Sequence, residues 1–373
     1  MRAWIQRLLP KVAVLGLDTN NLLRALFFLK RGLFRASLMI SSKNYTVMAQ
    51  ITNDPTLLHQ IDAGVNGRKR GHSYENELAT KINATTMPYS RSKNMNEVLH
   101  VGSPVVILID KILEYLNWDS CDKVEAYATG KLATSENGNK EILIEGQPIT
   151  SAKSDVILVL SNNNEKKVVG VSVKQCNNKT PTNAQVFFST ATAFYNLVTS
   201  NGMPLSDKAL KAMRQFCGDI GFRPMDDFDC SNRIPTPERY FWEEIDVEGK
   251  AEWENVFTNH QDDITRLLLQ KAYLNDPFPP EIILHKTKRA PSFNHQEIAV
   301  FTMDQFIELS KEYSPYTYSY YRVKKGRYKE PKGISHQAPR FGVVQMQRGG
   351  QKQHPTQLQF NLKAGYFYDL DKL

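Results

Sequence analysis

The chain has 373 residues and 42.6 kDa, with 10% aromatic and 23% charged residues, which excludes a disordered or fibrous protein and leaves ample apolar mass for one large domain or two smaller ones. Its four cysteines (Cys121, Cys176, Cys217 and Cys230) have no CxxC or zinc-ligand spacing; they exclude a disulfide framework and fit reduced thiols in the cytoplasm. The formal charge of +8 is uneven: residues 1–45 hold eight basic residues against Asp18, and residues 311–373 hold twelve against four acids, so residues 46–310 balance at −7 and a polyanion should meet the C-terminal segment.

In chain order, residues 1–47 read as a basic, apolar extension outside the fold. The run near Val12 is broken by Asp18, Asn20, Asn21 and Arg24, too often for a membrane span, and no stable membrane association is expected. A surface-binding amphipathic helix is the functional alternative, and translation starting at Met39 or Met48 is the plainer one. A basic glycine-containing loop over 64–73 leads into a helix on which Tyr74, Leu78 and Ile82 share a face, with Ser73 as N-cap and Glu75 and Glu77 in the first turn. Those acids serve helix-start electrostatics on the plain reading; on the sharper one, Glu75 points to the hairpin below and adds a carboxylate there.

Residues 104–118 read as a half-buried helix and 123–150 as a strand region, with 141–146 its clearest strand. Two Val/Ile/Leu-rich runs follow, 155–160 and 168–174, joined by a polar turn with three consecutive asparagines; this pattern predicts an antiparallel hairpin. Asp155 begins its first strand, and Ser172 and Lys174 project from one face of the second. A carboxylate beside a strand-end lysine can hold Mg2+ against a phosphodiester and activate water. Residues 180–183 then predict the start of a helix with Phe187, Ala191, Phe194 and Val198 on its apolar face and Asn183 and Gln185 in its first turn. Residues 226–263 read as an acidic, turn-rich surface, and 262–274 as a helix.

Beyond Lys311 five tyrosines (Tyr313, Tyr316, Tyr318, Tyr320 and Tyr321) interleave with basic residues. Basic side chains neutralise phosphates and amides pair with base edges. The expected DNA contacts are Gln175, Asn183, Gln185, Arg322, Lys324, Lys325, Arg327, Gln345, Gln347, Arg348 and Lys352. The plainer alternative is a solvated sheet edge with structural tyrosines.

Asp155, the hairpin, Lys174 nineteen positions on and the upstream Tyr74-Glu75 helix together resemble the PD-(D/E)XK nuclease superfamily, in particular type II restriction endonucleases. Two positions depart from its pattern. Ser154 stands where the family often has proline, and Ser172 where its acid-x-lysine triplet usually has Asp or Glu, leaving Glu75 or Glu77 to make up the charge. The resemblance implies an α/β core with a mixed β-sheet flanked by helices, here with a basic aromatic C-terminal extension. It implies catalytic roles for Asp155, Lys174, Ser172 and Glu75, and a Mg2+ ion held by Asp155, Glu75 and the Val173 carbonyl. It further implies sequence-specific cleavage of double-stranded DNA by a homodimer, with a cognate DNA methyltransferase as genetic neighbour. The chain is then organised as extension (1–47), catalytic domain (48–310) and recognition segment (311–373). A repair or junction-resolving nuclease on the same core, and a DNA-binding protein without catalysis, are the alternatives.

Overall fold

The computed structural model describes residues 71–133, 141–233, 236–271, 276–322, 334–348 and 356–373, all in the second of two compact units, Asn53–Leu373. The 1–47 extension, most of the basic loop before residue 71, and Lys324, Lys325, Arg327 and Lys352 lie outside the described residues.

Helix α1 covers residues 71–83, and its buried face is the predicted one, Tyr74, Leu78 and Ile82. Ser73 is already helical, so it is not the N-cap expected of it. Strands β1 (Tyr89–Ser90) and β2 (Leu99–Gly102) lead to α2 (Pro104–Tyr115), whose first-turn proline has no N–H to leave unsatisfied. There follow β3 (Ser120–Cys121), β4 (Lys123–Ala128), and β5 (Ile142–Ile144) paired with β6 (Gln147–Ile149). The predicted hairpin is β7 (Val156–Asn162) and β8 (Glu165–Gln175). Its strands run further than the apolar runs alone indicate, and Asn163 turns the chain at φ 53°, a left-handed conformation asparagine tolerates.

Next comes a strand, β9 (Ala184–Ser189), where the sequence predicts the opening of a helix. Asn183 and Gln185 therefore lie before and within a strand. The helix α3 (Ala191–Ser200) begins only after Thr190, whose side chain accepts the Ala193 N–H. Phe187 packs on Phe194 and Phe360 from the strand, not from the helix. Helices α4 (Asp207–Cys217), α5 (Val247–Asn259) and α6 (Gln261–Gln270) follow, so half of the stretch read as acidic surface is helical, with Trp253 and Phe257 fully buried. Strands β10 (Pro280–Lys286) and β11 (Gln296–Thr302), helix α7 (Met303–Tyr313), strands β12 (Thr317–Tyr321), β13 (His336–Phe341), β14 (Val344–Arg348) and β15 (Leu358–Leu362), and helix α8 (Tyr366–Leu370) complete the chain.

Two sheets result. The larger has the order β2-β11-β10-β8-β7-β4 and is mixed, β10 running parallel to β8 while its other pairs are antiparallel. One face packs under α1 and α2 through Val156, Leu158, Val171, Val173 and Leu284. The other contributes Ile283, Ala299 and Phe301 to a core shared with α3 to α7, and Ile157 and Val159 to a patch covered by β5 and β6. Buried on both faces, β7 reads as a near-continuous apolar run, which is why its sequence is so plain. The expected fold class, a mixed β-sheet flanked by helices in an α/β protein, is the one observed. The second sheet, β12-β13-β14-β15-β9, joins the C-terminal strands to β9 and packs its Val344, Met346, Leu358, Phe360 and Leu362 into that shared core.

Gly170 is where the central hairpin admits no side chain. A Cβ there would lie 2.5 Å from the Pro279 carbonyl oxygen and 2.7 Å from that of Phe278. Gly170→Ala is expected to lower stability by about 1–3 kcal/mol through overpacking, read as a lower urea midpoint with an unchanged slope.

Candidate active site

The start of β7 and the end of β8 meet because the Asp155 N–H donates to the Val171 carbonyl, which sets Asp155 opposite Ser172. The Asp155 carboxylate turns along β8, where Oδ2 accepts three hydrogen bonds: from the Val173 N–H at 2.6 Å, the Ser172 hydroxyl at 3.3 Å and the Lys174 ammonium at 3.3 Å. Lys174 Nζ also reaches the Val173 carbonyl at 3.2 Å. The predicted acid–lysine pair therefore forms on one side of the sheet. Neither member is sealed off, the Asp155 and Lys174 side chains keeping 27% and 18% of their accessible surface.

Ser172 is only 2% exposed, and its hydroxyl is spent on Asp155. It orients the carboxylate and does not face solvent. An acid there would set a second carboxylate against Asp155 in a buried position, a repulsive arrangement.

Glu75 and Glu77, the two candidates for the missing charge, differ in placement. Glu77 faces outward and pairs with Lys81. Glu75 is 8% exposed, and among the described residues no hydrogen-bond donor reaches its carboxylate. Burial, and then the charge of Asp155, push its pKa up to about 8, with Lys174 pulling the other way. Around it, a Cβ added to Gly130 would meet Glu75 Oε2 at 3.0 Å and the His72 ring at 2.7 Å, so glycine keeps room beside the carboxylate. Gln175 approaches from the end of β8, its Oε1 accepting from Asn177.

Two oxygen-bearing acids and a backbone carbonyl are the donor set a hard divalent cation takes. The residues fit such an ion: a buried carboxylate with no hydrogen-bond donor among the described residues feels the charge of a second, and a cation held by both would offset the burial and the repulsion that raise the Glu75 pKa. Among the described residues there is no group of three His, Cys, Asp or Glu that could hold a metal. Asp155, Glu75 and the Val173 carbonyl would have to do so as two acids and a carbonyl.

Sequence reasoning missed two neighbours. Lys153 Nζ donates to the Val186 carbonyl of β9 at 2.6 Å, and burial, then the Lys174 charge, bring its pKa down to about 8. His285, beside Lys174 across the β8–β10 pairing, is buried on Tyr366, and burial pulls its pKa down to about 3, which keeps it neutral next to the lysine. Both contacts join segments far apart in sequence, and no local pattern announces them.

The expected DNA contacts divide. Gln345 and Gln347 project from one face of β14; Arg348 lies on the opposite, core-facing side, close enough to Cys217 and Asp219 to influence both. Asn183 Oδ1 accepts the Ala364 N–H and so ties β9 to the C-terminal turn. Arg322 follows β12 at the border of the described residues. Tyr313, Tyr316 and Tyr318 pack against the core and Tyr321 accepts from Arg239, so four of the five tyrosines have structural places and Tyr320 alone is well exposed, at 67%. The four cysteines are free thiols, and among the described residues no helix is long and apolar enough to cross a membrane.

Fold and site together define an α/β protein with an acid–lysine pair at the end of a central hairpin and a buried glutamate beside it. No family model and no curated protein sequence matches the chain. Among solved structures it is similar to the restriction endonuclease MspI in complex with its cognate DNA, at 12% identity over 68% of this chain and 76% of that one, with a TM-score of 0.39. The functional reading therefore rests on the site's own geometry.

Proposed function

We propose that this chain is a Mg2+-dependent endonuclease that cuts double-stranded DNA at a defined sequence, a type II restriction enzyme. The observation that carries the reading is the junction at Asp155 Oδ2, where the Val173 N–H and Lys174 ammonium converge beside the desolvated Glu75 carboxylate. Asp155 and Glu75, with the Val173 carbonyl, would hold the ion. When bound, Mg2+ supplies Lewis-acid polarisation of the phosphate and a bound water of lowered pKa. Lys174 would orient the attacking water and offset charge growing on the phosphate oxygens, a stabilisation that exists mainly in the transition state. Ser172 and the Val173 N–H fix the Asp155 carboxylate so that Lys174 has a partner in the resting site. The neutral, buried His285 adds no second charge beside it.

The basic C-terminal segment would bring duplex DNA to this site, with Gln175, Gln185, Gln345, Gln347, Arg322 and the lysines and arginines beyond it as contacts. Action as a homodimer would match the two-fold symmetry of a palindrome, and a cognate methyltransferase gene would stand nearby in the genome.

Incubation of a defined plasmid with the protein and Mg2+ is expected to give discrete fragments of fixed length, and none in chelator. Scission confined to branched or damaged DNA would instead favour a repair or junction-resolving enzyme. Salt-sensitive retention of DNA without scission in Mg2+ or Mn2+ would leave only a binding protein.

A further inference from the structure

The second sheet carries a feature that the phosphodiester chemistry does not require. Its core face is apolar but for Arg348; its other face carries a connected row of amides. Gln359 Nε2 donates to Gln185 Oε1 at 2.9 Å and to Asn361 Oδ1 at 3.0 Å, and Asn361 Nδ2 donates to Gln347 Oε1 at 3.3 Å. Gln345, opposite Asn361, donates to the Ser319 hydroxyl at 3.0 Å. The row is assembled by an irregularity. Phe360 pairs with Phe187, but the next residue, Asn361, pairs with Gln185, so Val186 is an extra residue on β9. A bulge of this kind re-aims side chains. Here it places Gln185 in the row and turns the Val186 carbonyl to Lys153, two residues from Asp155. The amide face is thereby pinned directly to the candidate catalytic strand.

A solvated sheet face ordinarily mixes charges of both signs. The described residues of β9 and β12 to β15 include no Asp or Glu, in a C-terminal segment with twelve basic residues and four acids, which suits a polyanion. The internal bonds leave the Nε2 groups of Gln347 and Gln185 and the Oε1 of Gln359 without partners among the described residues. Open amide donors and acceptors side by side complement the N6–H and N7 of adenine, the base edge that Asn and Gln read bidentately.

We infer that Gln185, Gln359 and Gln347, linked through the buried Asn361 (4% exposed), read base edges of duplex DNA and fix at least one A·T position of the target. This rests on the nuclease reading above and extends it to Gln359. The full-length Asp155→Asn protein, which should bind without cutting, is incubated with a random-sequence duplex pool, and the bound DNA is sequenced. Gln347→Leu and Gln359→Glu are tested in the same background, with thermal melts to show that each folds. The expected result is an enriched site containing an adenine, with preference at that position relative to the other bases falling roughly 5- to 150-fold in the variants. Plasmid cleavage by the otherwise wild-type protein is scored in parallel. If it cuts at defined sites and the folded variants keep the same preference, the inference is overturned and the nuclease stands. If it cuts nothing and Asp155→Asn enriches no sequence, both fall.

Discussion

Asp155→Asn is expected to slow DNA scission on the order of 10³-fold while leaving the fold intact. The carboxylate accepts from three donors at once, the Val173 N–H, the Ser172 hydroxyl and the Lys174 ammonium. An asparagine oxygen in the Oδ2 position can keep the bonds from Val173, Ser172 and Lys174, but it carries no charge, and the NH2 in the Oδ1 position cannot bind a cation. Lys174 loses its anionic partner and keeps only neutral acceptors, this oxygen and the Val173 carbonyl 3.2 Å away. The ion loses one of its two carboxylates as well. Stability should change by less than about 1 kcal/mol, because the Asp155–Lys174 pair is partly exposed and such pairs contribute little. Single-turnover cleavage of a short duplex gives the rate, and Mn2+ titration gives the cation affinity, which should weaken in parallel. Full activity in a folded Asp155→Asn protein would remove Asp155 from the chemistry.

Glu75→Gln carries an opposed pair of expectations: activity falls about 10²-fold or more, yet the protein becomes more stable in chelator at alkaline pH. The Glu75 carboxyl titrates near 8 in the folded state because burial, reinforced by Asp155, disfavours its charge. The unfolded chain loses the same proton at an ordinary carboxylate pKa. Between those values the folded protein holds a proton that the unfolded chain has released, so stability falls as pH rises through that window and levels off above about 8. Glutamine has no proton to lose. The Gln variant should therefore gain on wild type from pH 5 upward, by about 1–3 kcal/mol at pH 9. Adding a divalent cation should shrink the difference by compensating the glutamate in the wild-type protein. Parallel stability curves for the two proteins would show that no desolvated charge is held at position 75.

The parts legible in the sequence are those whose causes are local. Residues 155–174 declare a hairpin because two Val/Ile/Leu runs flank an asparagine turn, and the polar side chains at 155, 172 and 174 fall in phase once the strands pair. Tyr74, Leu78 and Ile82 mark the buried face of α1, which puts Glu75 one position from it. The misreading at 184–189 has an equally local cause. Phe187 stands four residues before Ala191, in phase with Phe194 and Val198, so the helical pattern extends backward across Thr190. The cap at Thr190 is the signal that separates strand from helix.

What the sequence hides is long-range. Strand β10 arrives more than a hundred residues after β8 yet lies directly beside it and supplies His285. Lys153 has no visible role until β9 is folded against it. The amides of the C-terminal segment are legible as single candidate contacts, but their row is not, because it exists only across strands: Gln185 and Asn361 are far apart in the chain and paired in the sheet.

The most direct measurement is cleavage of supercoiled plasmid in Mg2+ by the wild-type protein and by Lys174→Met, which removes the ammonium and keeps the apolar stem. Wild type should yield linear DNA and the variant essentially none, although both bind the plasmid equally. Equal cutting by the two, or no cutting by wild type in Mg2+ or Mn2+ on any duplex offered, would contradict the assignment of hydrolysis to the Asp155–Lys174 junction.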